Sequence, residues 1–429
     1  MALIQTKGRQ DVGGGGASVF TALSDVPSSY ALQTRKRLRV NSAATGLEFY
    51  SGPAIHAEDY CAFDGIIDDT ENLNSIIASL PTFGGYRRII CPYGKTALIS
   101  GEVNIAKNDV IIDNLSIKLK DSVTGVNKLL YLSGDNITLN SPVIDGNCQN
   151  NPTLAYYGVL TEGVSDLKIK YGRIKNTTDN GIYLKGSTSP VQGFMLLENV
   201  ITNTGWEGIR VDYGIGGKIH CNDIISTGSH GINVQSREPY TSYAGVYDTQ
   251  RVNILGNYVN RAVAPTNIKP GQTERLFLLC LHVAVKHITV GSNILWDNSR
   301  MINDGIGLGL DGVHPQKGII ISDNIVYRAG HFGIDATYDS EVQGNYIIES
   351  GSEGIVVECD LAGDTYKNSI IDSNIIIDPL VNGAAYTLTQ AAISVTKVAS
   401  YGGTGTAENI KISNNIINDT RTTKKTLYG

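Results

Sequence analysis

One short phrase recurs along the second half of this chain: an aliphatic residue, two variable residues, Asn, one variable residue, and another aliphatic. It is written LLENVI, IHCNDI, ILGNYV, VGSNIL, ISDNIV, VQGNYI, IDSNII and ISNNII, with its asparagine at Asn199, Asn222, Asn257, Asn293, Asn324, Asn345, Asn374 and Asn415. Weaker relatives lie upstream at Asn114, Asn140 and Gly172, which makes about eleven turns. A second phrase, Gly-Ile, follows nine residues after several of these positions, at Gly181, Gly208, Gly231, Gly333 and Gly354. The spacing from Asn to Gly is rigid and the spacing afterwards varies, so insertions are expected only after the strand that Gly-Ile opens. A repeat of 21 to 23 residues, such as Asn324 to Asn345 or Asn199 to Asn222, is too small to bury its own apolar face. It must stack on its neighbours.

Three short strands and three turns fit such a unit if each strand pairs in parallel with its equivalent in the next unit. The fold class expected is therefore all-β: a right-handed, single-stranded parallel β-helix rising roughly 4.8 Å per coil. Aliphatics at equivalent positions become inward columns. Asparagine tolerates a left-handed turn and its amide can bond along the stack, while the glycine serves the following turn. A helical or leucine-rich solenoid is excluded because the variable segments lack a 3.6-residue apolar period and the strands are rich in Ile and Val. The GLGLDG string at Gly307 to Gly312 matches a dinucleotide fingerprint formally, but Pro315 and a strand follow where that motif needs a helix.

Composition narrows the function. The 429 residues carry 35 Lys plus Arg against 41 Asp plus Glu, a net charge of -6, which gives no electrostatic reason to bind nucleic acid. Tyrosine is over-used, 22 against 7 Phe and 2 Trp, placing amphipathic rings where a dry core would use Phe. The six cysteines (Cys61, Cys91, Cys148, Cys221, Cys280, Cys359) are scattered with no zinc-like spacing, so neither metal nor cofactor is expected and the thiols are read as free. No signal-peptide or membrane-spanning stretch is apparent.

The front of the chain reads differently. In DDTENLNSIIASL, Asp68 or Asp69 is placed to cap a short helix with Leu73, Ile76, Ile77 and Leu80 on one face. Such a helix would cover the open end of the stack, where unpaired strand edges invite aggregation. The string FDGIIDDTENLNSIIASL followed by RRIICPYGKTALIS resembles the leading segment of the pectate-lyase-like β-helix superfamily as found in bacteriophage tailspikes, and residues 18–50 are similar to a phrase of phage tail fibre and tailspike proteins. The resemblance covers about residues 18–100, and the coil repeats carry it onward.

That resemblance implies a homotrimer that binds, and usually cleaves, a bacterial surface polysaccharide. It implies a location on the virion tail, with assembly in the host cytoplasm and action at the bacterial surface. The expected organisation is a virion-attachment or adaptor segment at 1–57 contacting phage tail or baseplate proteins, a helix-containing cap at 58–100, and a β-helix at 101–429 bearing the substrate face. Relatives often continue into a C-terminal trimerisation or chaperone domain, which the closing TRTTKKTLYG does not resemble.

Glycoside hydrolysis needs two carboxylates, roughly 5 to 9.5 Å apart. If Ile of Gly-Ile faces inward, the second and fourth residues after each Gly face out, which brings Tyr183, Arg210, Asp212, Asp335 and Glu358 onto one surface with Glu207, His230 and Asp304 from the turn before it. Glu207, Asp212, Asp304 and Asp335 are the catalytic candidates. Tyr183, Trp206, Arg210, His230 and Glu358, with the loop tyrosines Tyr240, Tyr243 and Tyr247, are the substrate-binding candidates, walled by insertions at 236–251 and 261–275. A lyase, using Arg210, His230 and Tyr183 on a uronate, is the alternative enzyme. A non-catalytic receptor-binding tail protein or adhesin is the alternative of a different class.

Overall fold

The computed structural model describes residues 37–40, 47–50, 54–81, 87–236, 248–260, 276–282, 284–297, 303–309, 317–336, 339–359, 365–381, 391–397 and 406–421. Arg37–Val40 and Leu47–Tyr50 pair as a separate antiparallel ribbon, and from residue 54 onward the described residues form a parallel β-helix. A first sheet of thirteen strands runs from Ile55–His56 to Lys411–Ser413, and a second of thirteen from Asp64–Asp68 to Ile416–Asn418. A third, of eleven strands, runs from Val103–Ile105 to Ile393–Lys397. Thirteen coils therefore replace the eleven expected, because the leading segment already supplies rungs of the first two sheets from Ile55 onward.

Every inward position is a column. In the third sheet Ile182, Ile209, Ile232, Leu279, Ile306, Ile334 and Ile355 stack in register, and in the second Ile174, Ile201, Ile224, Val259, Leu295, Val326, Ile347 and Ile376 do so. All are buried, each contributing about 1.5–3 kcal/mol of transfer free energy. Branched side chains suit both the pleat and this one-dimensional packing. At the last described coil the inward column ends exposed, with Ile412 51% accessible.

The asparagines form a continuous buried ladder between the first and second sheets. Each Nδ2 donates to Oδ1 of the next asparagine at 2.9 Å, from Asn199 through Asn222, Asn257, Asn293, Asn324, Asn345 and Asn374 to Asn415. The same Oδ1 accepts the backbone N–H one coil below, for example Asn324 N to Asn345 Oδ1 at 3.0 Å, and Nδ2 also reaches a strand carbonyl, as Asn324 to Val290 O at 3.0 Å.

Three expectations are corrected here. The left-handed residue of the turn is not the asparagine but its predecessor: Glu198, Cys221, Ser292, Asp323, Ser373 and Asn414, or Gly256 and Gly344, carry φ between 53° and 66°. Freed from that role, the asparagine side chain points inward to bond along the stack. Asn114 and Asn140 are not members of the ladder, because the register puts Leu115 and Pro142 at that level. The ladder starts at Gly172, whose N–H donates to Asn199 Oδ1 at 2.9 Å and where a Cβ would lie 2.8 Å from that oxygen. Finally, the glycine of Gly-Ile is demanded by space rather than by a left-handed turn: a Cβ on Gly208 would lie 2.5 Å from Ile224 Cγ2 and 2.7 Å from Gly231 O.

The helix α1 (Thr70–Ser79) follows the first strand of the second sheet and takes the third side of that coil. Leu73, Ile76, Ile77 and Leu80 are buried against the stack. Asn74 finishes the open edge of the third sheet, accepting from Asn104 N at 2.8 Å and donating to Glu102 O at 2.8 Å. Asp68 caps the helix by accepting from Thr70 N at 3.0 Å, whereas Asp69 turns back to accept from Ala62 N and Phe63 N at 2.8 and 2.9 Å. Between Val191 and Lys286 a narrow four-stranded sheet, Val191–Gln192, Gly214–Ile215, Thr249–Gln250 and Val285–Lys286, lines the corner after the third strand.

Candidate active site on the third sheet

Strict pairing in the third sheet fixes which side chains share its outer surface. One outward column reads Tyr183, Arg210, Asn233, Cys280, Gly307, Asp335, Val356, and the next reads Lys185, Asp212, Gln235, His282, Gly309. Two residues before each member of the inward column from Ile182 to Ile355 stand Asn180, Glu207, His230, Phe277, Asp304, Phe332 and Glu353, one per coil, with Phe277 and Asp304 already inside their longer strands.

Glu207 and Asp212 lie on one coil and share Arg210. Arg210 donates from Nε to Asp212 Oδ1 at 2.9 Å and from Nη2 to Asp212 Oδ2 at 3.0 Å, while Glu207 Oε2 is 3.7 Å from the same Nε. Asp212 Oδ2 also accepts the Tyr183 hydroxyl at 2.6 Å, and the guanidinium sits over the Tyr183 ring, 4.9 Å from its centre. Tyr157 packs beside Tyr183 with ring centres 5.4 Å apart. Burial works against the charge of Arg210, but the adjacent Asp212 and Glu207 hold its pKa above the usual value.

Glu207 is in a different electrical position. It is 2% exposed, one oxygen accepts Asn233 Nδ2 at 2.6 Å, and the other, Oε2, has no hydrogen bond. Burial pushes its pKa up to about 7, opposed by Arg210 and Asn233 and assisted by the charge of Asp212. Asp212, by contrast, receives three donors, which address its ionised form. Two carboxyl groups on either side of one guanidinium nitrogen, one poised to carry a proton near neutrality and one ion-paired, form the asymmetry that acid-assisted bond cleavage requires.

The other two acids belong to a second group, three coils on and roughly 14 Å away along the stack. Asp304 Oδ1 meets His331 Nδ1 at 2.7 Å and accepts from Phe332 N at 2.9 Å. Asp335 stands one coil further, and Glu353 is bonded by the Ser352 hydroxyl. All three acids are buried. The four catalytic candidates thus share a face but do not meet at one point.

The coils between the two groups carry residues that the sequence reading passed over. Phe277 lies across the surface of the next coil, where a Cβ on Gly307 would sit 1.8 Å from its ring. Its backbone N–H donates to His230 Nδ1 at 3.0 Å and the two rings are 5.3 Å apart, so His230 Nδ1 carries no proton in this geometry. Gln235 and His282 meet at 3.4 Å. This coil escaped notice because Leu278 stands where the others have the glycine of Gly-Ile. Trp206 and His230 are each only 8% exposed, closer to packed side chains than to an open sugar platform. Tyr240, Tyr243 and Tyr247 lie outside the described residues, as does the side chain of Glu358, whose backbone pairs with Thr396. The segment 261–275 also lies outside them, but in chain order it precedes the strand Leu276–His282 rather than following it, so insertions enter before the third strand as well as after. Among the described residues no His/Cys/Asp/Glu group is arranged to hold a metal ion.

No family model matches the chain, and no curated protein matches it by sequence. Solved structures do. The Dettilon tailspike protein aligns at 16% identity over 84% of this chain and 68% of its own, with a TM-score of 0.58. The A-module of the mannuronan C-5 epimerase AlgE4 of Azotobacter vinelandii aligns at 17% identity over 85% and 96%, also at 0.58. A hyperthermoactive exopolygalacturonase of Thermotoga maritima aligns at 13% over 89% and 95%, at 0.58. The chain shares with these proteins the parallel β-helix fold common to a phage tailspike and polysaccharide enzymes.

Proposed function

We infer that this protein is a phage tailspike that depolymerises a bacterial surface polysaccharide, capsule or O-antigen, by glycoside hydrolysis on the outer face of the third sheet. The observation that carries the reading is the Glu207–Arg210–Asp212 arrangement, in which burial lifts one carboxyl to a pKa of about 7 beside a second that is ion-paired. Glu207 is the proton donor to the glycosidic oxygen, and Asp212 is the anionic partner on the reacting centre, released from Tyr183 when sugar hydroxyls replace the phenol. Phe277, held from below by His230, offers a ring face to the sugars beyond. The names of the structural neighbours, a tailspike, a mannuronan epimerase and an exopolygalacturonase, support a polysaccharide as the substrate class. A homotrimer on the virion tail, attached through residues 1–57, completes the reading.

The test is to incubate the protein with purified capsules and O-antigens and to follow reducing ends together with the ultraviolet absorbance of an unsaturated uronate. New reducing ends without that absorbance support hydrolysis; both together indicate a lyase. The second reading, a receptor-binding β-helix without catalysis, is favoured by the saturation of Asp212 with three donors. It predicts glycan binding with neither signal.

A further inference from the structure

One coil of the third sheet carries two carboxamides on its outward side. On the strand Ile232–Gln235, Ile232 and Val234 point into the core while Asn233 and Gln235 point out, yet both amides are buried. Register sets Asn233 one coil after Arg210 and one before Cys280, and Gln235 one coil after Asp212 and one before His282, at the ~4.8 Å spacing of adjacent rungs. A carboxamide has no charge of its own, so which end faces which neighbour is dictated by what the neighbours can donate or accept.

Glu207 sets the direction of a series of bonds. Its ionised carboxyl can only accept, so the nitrogen of Asn233 faces it, Nδ2 to Oε1 at 2.6 Å. The same nitrogen donates to Gln235 Oε1 at 3.2 Å, which turns the oxygen of the second amide toward the first. That oxygen also meets His282 Nδ1 at 3.4 Å, and because an amide oxygen only accepts, Nδ1 carries the hydrogen in this geometry. The chain crosses three coils, with each donor directed by the carboxyl at its far end. It occupies Oε1 of Glu207 and leaves Oε2, which has no hydrogen bond and lies 3.7 Å from Arg210 Nε.

We infer that Asn233, Gln235 and His282 are positioning residues for Glu207, aligned so that a donor occupies its Oε1 and the proton to be transferred sits on Oε2. The inference rests on the reading of Glu207 as the proton donor. A carboxylic acid keeps its proton on the oxygen that is not already accepting a strong hydrogen bond, and the short contact from Asn233 marks Oε1 as the accepting one. In the transfer the proton passes from Oε2 to the glycosidic oxygen, which leaves with the electron pair of the C–O bond. The O–H pair stays on Glu207, and the sugar carbon faces Asp212. Asn233 then donates to a full negative charge, so its bond strengthens as the reaction proceeds rather than beforehand. Gln235 and His282 keep the amide of Asn233 from turning its oxygen to the carboxyl, which would oppose that charge.

The charged and titratable groups around Glu207 are Arg210 and Asp212 on its own coil, Asp179 and Tyr157 in the coils before it and His230 at the same position of the next, and all are retained in the variants that follow. The test is to titrate the Glu207 carboxyl by carbon-13 NMR in the full chain labelled at the glutamate side-chain carboxyl, its signal assigned by its loss in Glu207→Gln. The pH profile of depolymerisation is recorded alongside, for wild type, Asn233→Leu, Gln235→Leu, His282→Phe, His282→Asn and the exposed control Lys120→Ala. The expected midpoint is about 7 in wild type and control. It should lie about one unit higher in Asn233→Leu, which loses a donor to the ionised form, and higher by smaller amounts in Gln235→Leu and His282→Phe. His282→Asn, whose amide nitrogen takes the place of Nδ1, should restore the wild-type midpoint. The basic limb of kcat/KM should move with each midpoint, and kcat should fall about tenfold in Asn233→Leu at unchanged KM. An Asn233→Leu midpoint equal to that of wild type would overturn the chain, and a shift there with none in Gln235→Leu and His282→Phe would overturn the part of those two residues. A chain whose midpoints move as expected but which degrades no polysaccharide would support the positioning while overturning the reading of Glu207 as an acid. Should Asn233→Leu fail to fold, Gln235→Leu and His282→Phe decide by the same shift.

Discussion

Glu207 and Asp212 carry the chemistry in opposite ways, and substitution should separate them. Glu207→Gln keeps the bond from Asn233 and removes the acidic proton, so depolymerisation should fall by about 10² to 10⁴ with little change in glycan affinity. The sign of the pH effect follows from the raised pKa. Between about 4.5, its ordinary value, and about 7 the folded chain binds the proton that the unfolded chain has lost, so this residue makes stability decline as pH rises through that window. Urea midpoints measured across it should show that slope in the wild type and a weaker one in Glu207→Gln, and the basic limb of kcat/KM should lie near pH 7. Asp212→Asn is a different experiment. It leaves Arg210 buried with its bidentate partner neutralised, so unfolding free energy should drop by about 3 kcal/mol in addition to any loss of rate, seen as a lower denaturation midpoint. Amidation should therefore cost less structurally at Glu207, whose Oε2 has no hydrogen bond, than at Asp212.

At the scale of one coil, stability is concentrated in two positions, the ladder asparagine and the glycine that opens the third strand. Asn324→Ala removes the bonds to Asn345, Val290 and Asn293 together and leaves buried donors unmatched, a loss of about 2–4 kcal/mol by the cost of orphaned polar groups. Gly208→Ala inserts a methyl against Ile224 and the carbonyl of Gly231, for about 1–3 kcal/mol. Both should appear as lower midpoints in thermal or denaturant unfolding. An exposed control such as Lys120→Ala should leave the midpoint within about 0.5 kcal/mol. The asparagine phrase could be read from sequence because a side chain that bonds to its own copy one coil away tolerates no substitute. The left-handed residue before it was hidden, since Glu, Cys, Ser, Asp, Asn and Gly all fill that position and the backbone alone sets its φ.

For the whole molecule, the fold was legible because a β-helix is a sequence repeat made solid: inward columns, ladder and glycine all recur at fixed steps. The leading coils escaped the count, since Asp64–Asp68 and α1 occupy their places without the phrase. The site was legible only as a face. Outward columns follow from strand alternation, so Tyr183, Arg210, Asp212 and Asp335 could be assigned to one face of the third sheet, but the sequence holds no measure of the distance that splits the acids into two groups. Nor does it show that Arg210 joins Glu207 to Asp212, or that Phe277 covers Gly307.

The account stands on the location of the glycan. The most direct measurement is a crystal structure of Glu207→Gln with an oligosaccharide of a polysaccharide that the wild type degrades. The account predicts sugar rings across the outer face of the third sheet, with a glycosidic oxygen within hydrogen-bonding distance of residue 207 and rings against Phe277. Sugar bound on the first or second sheet, or between subunits away from Arg210, would contradict it.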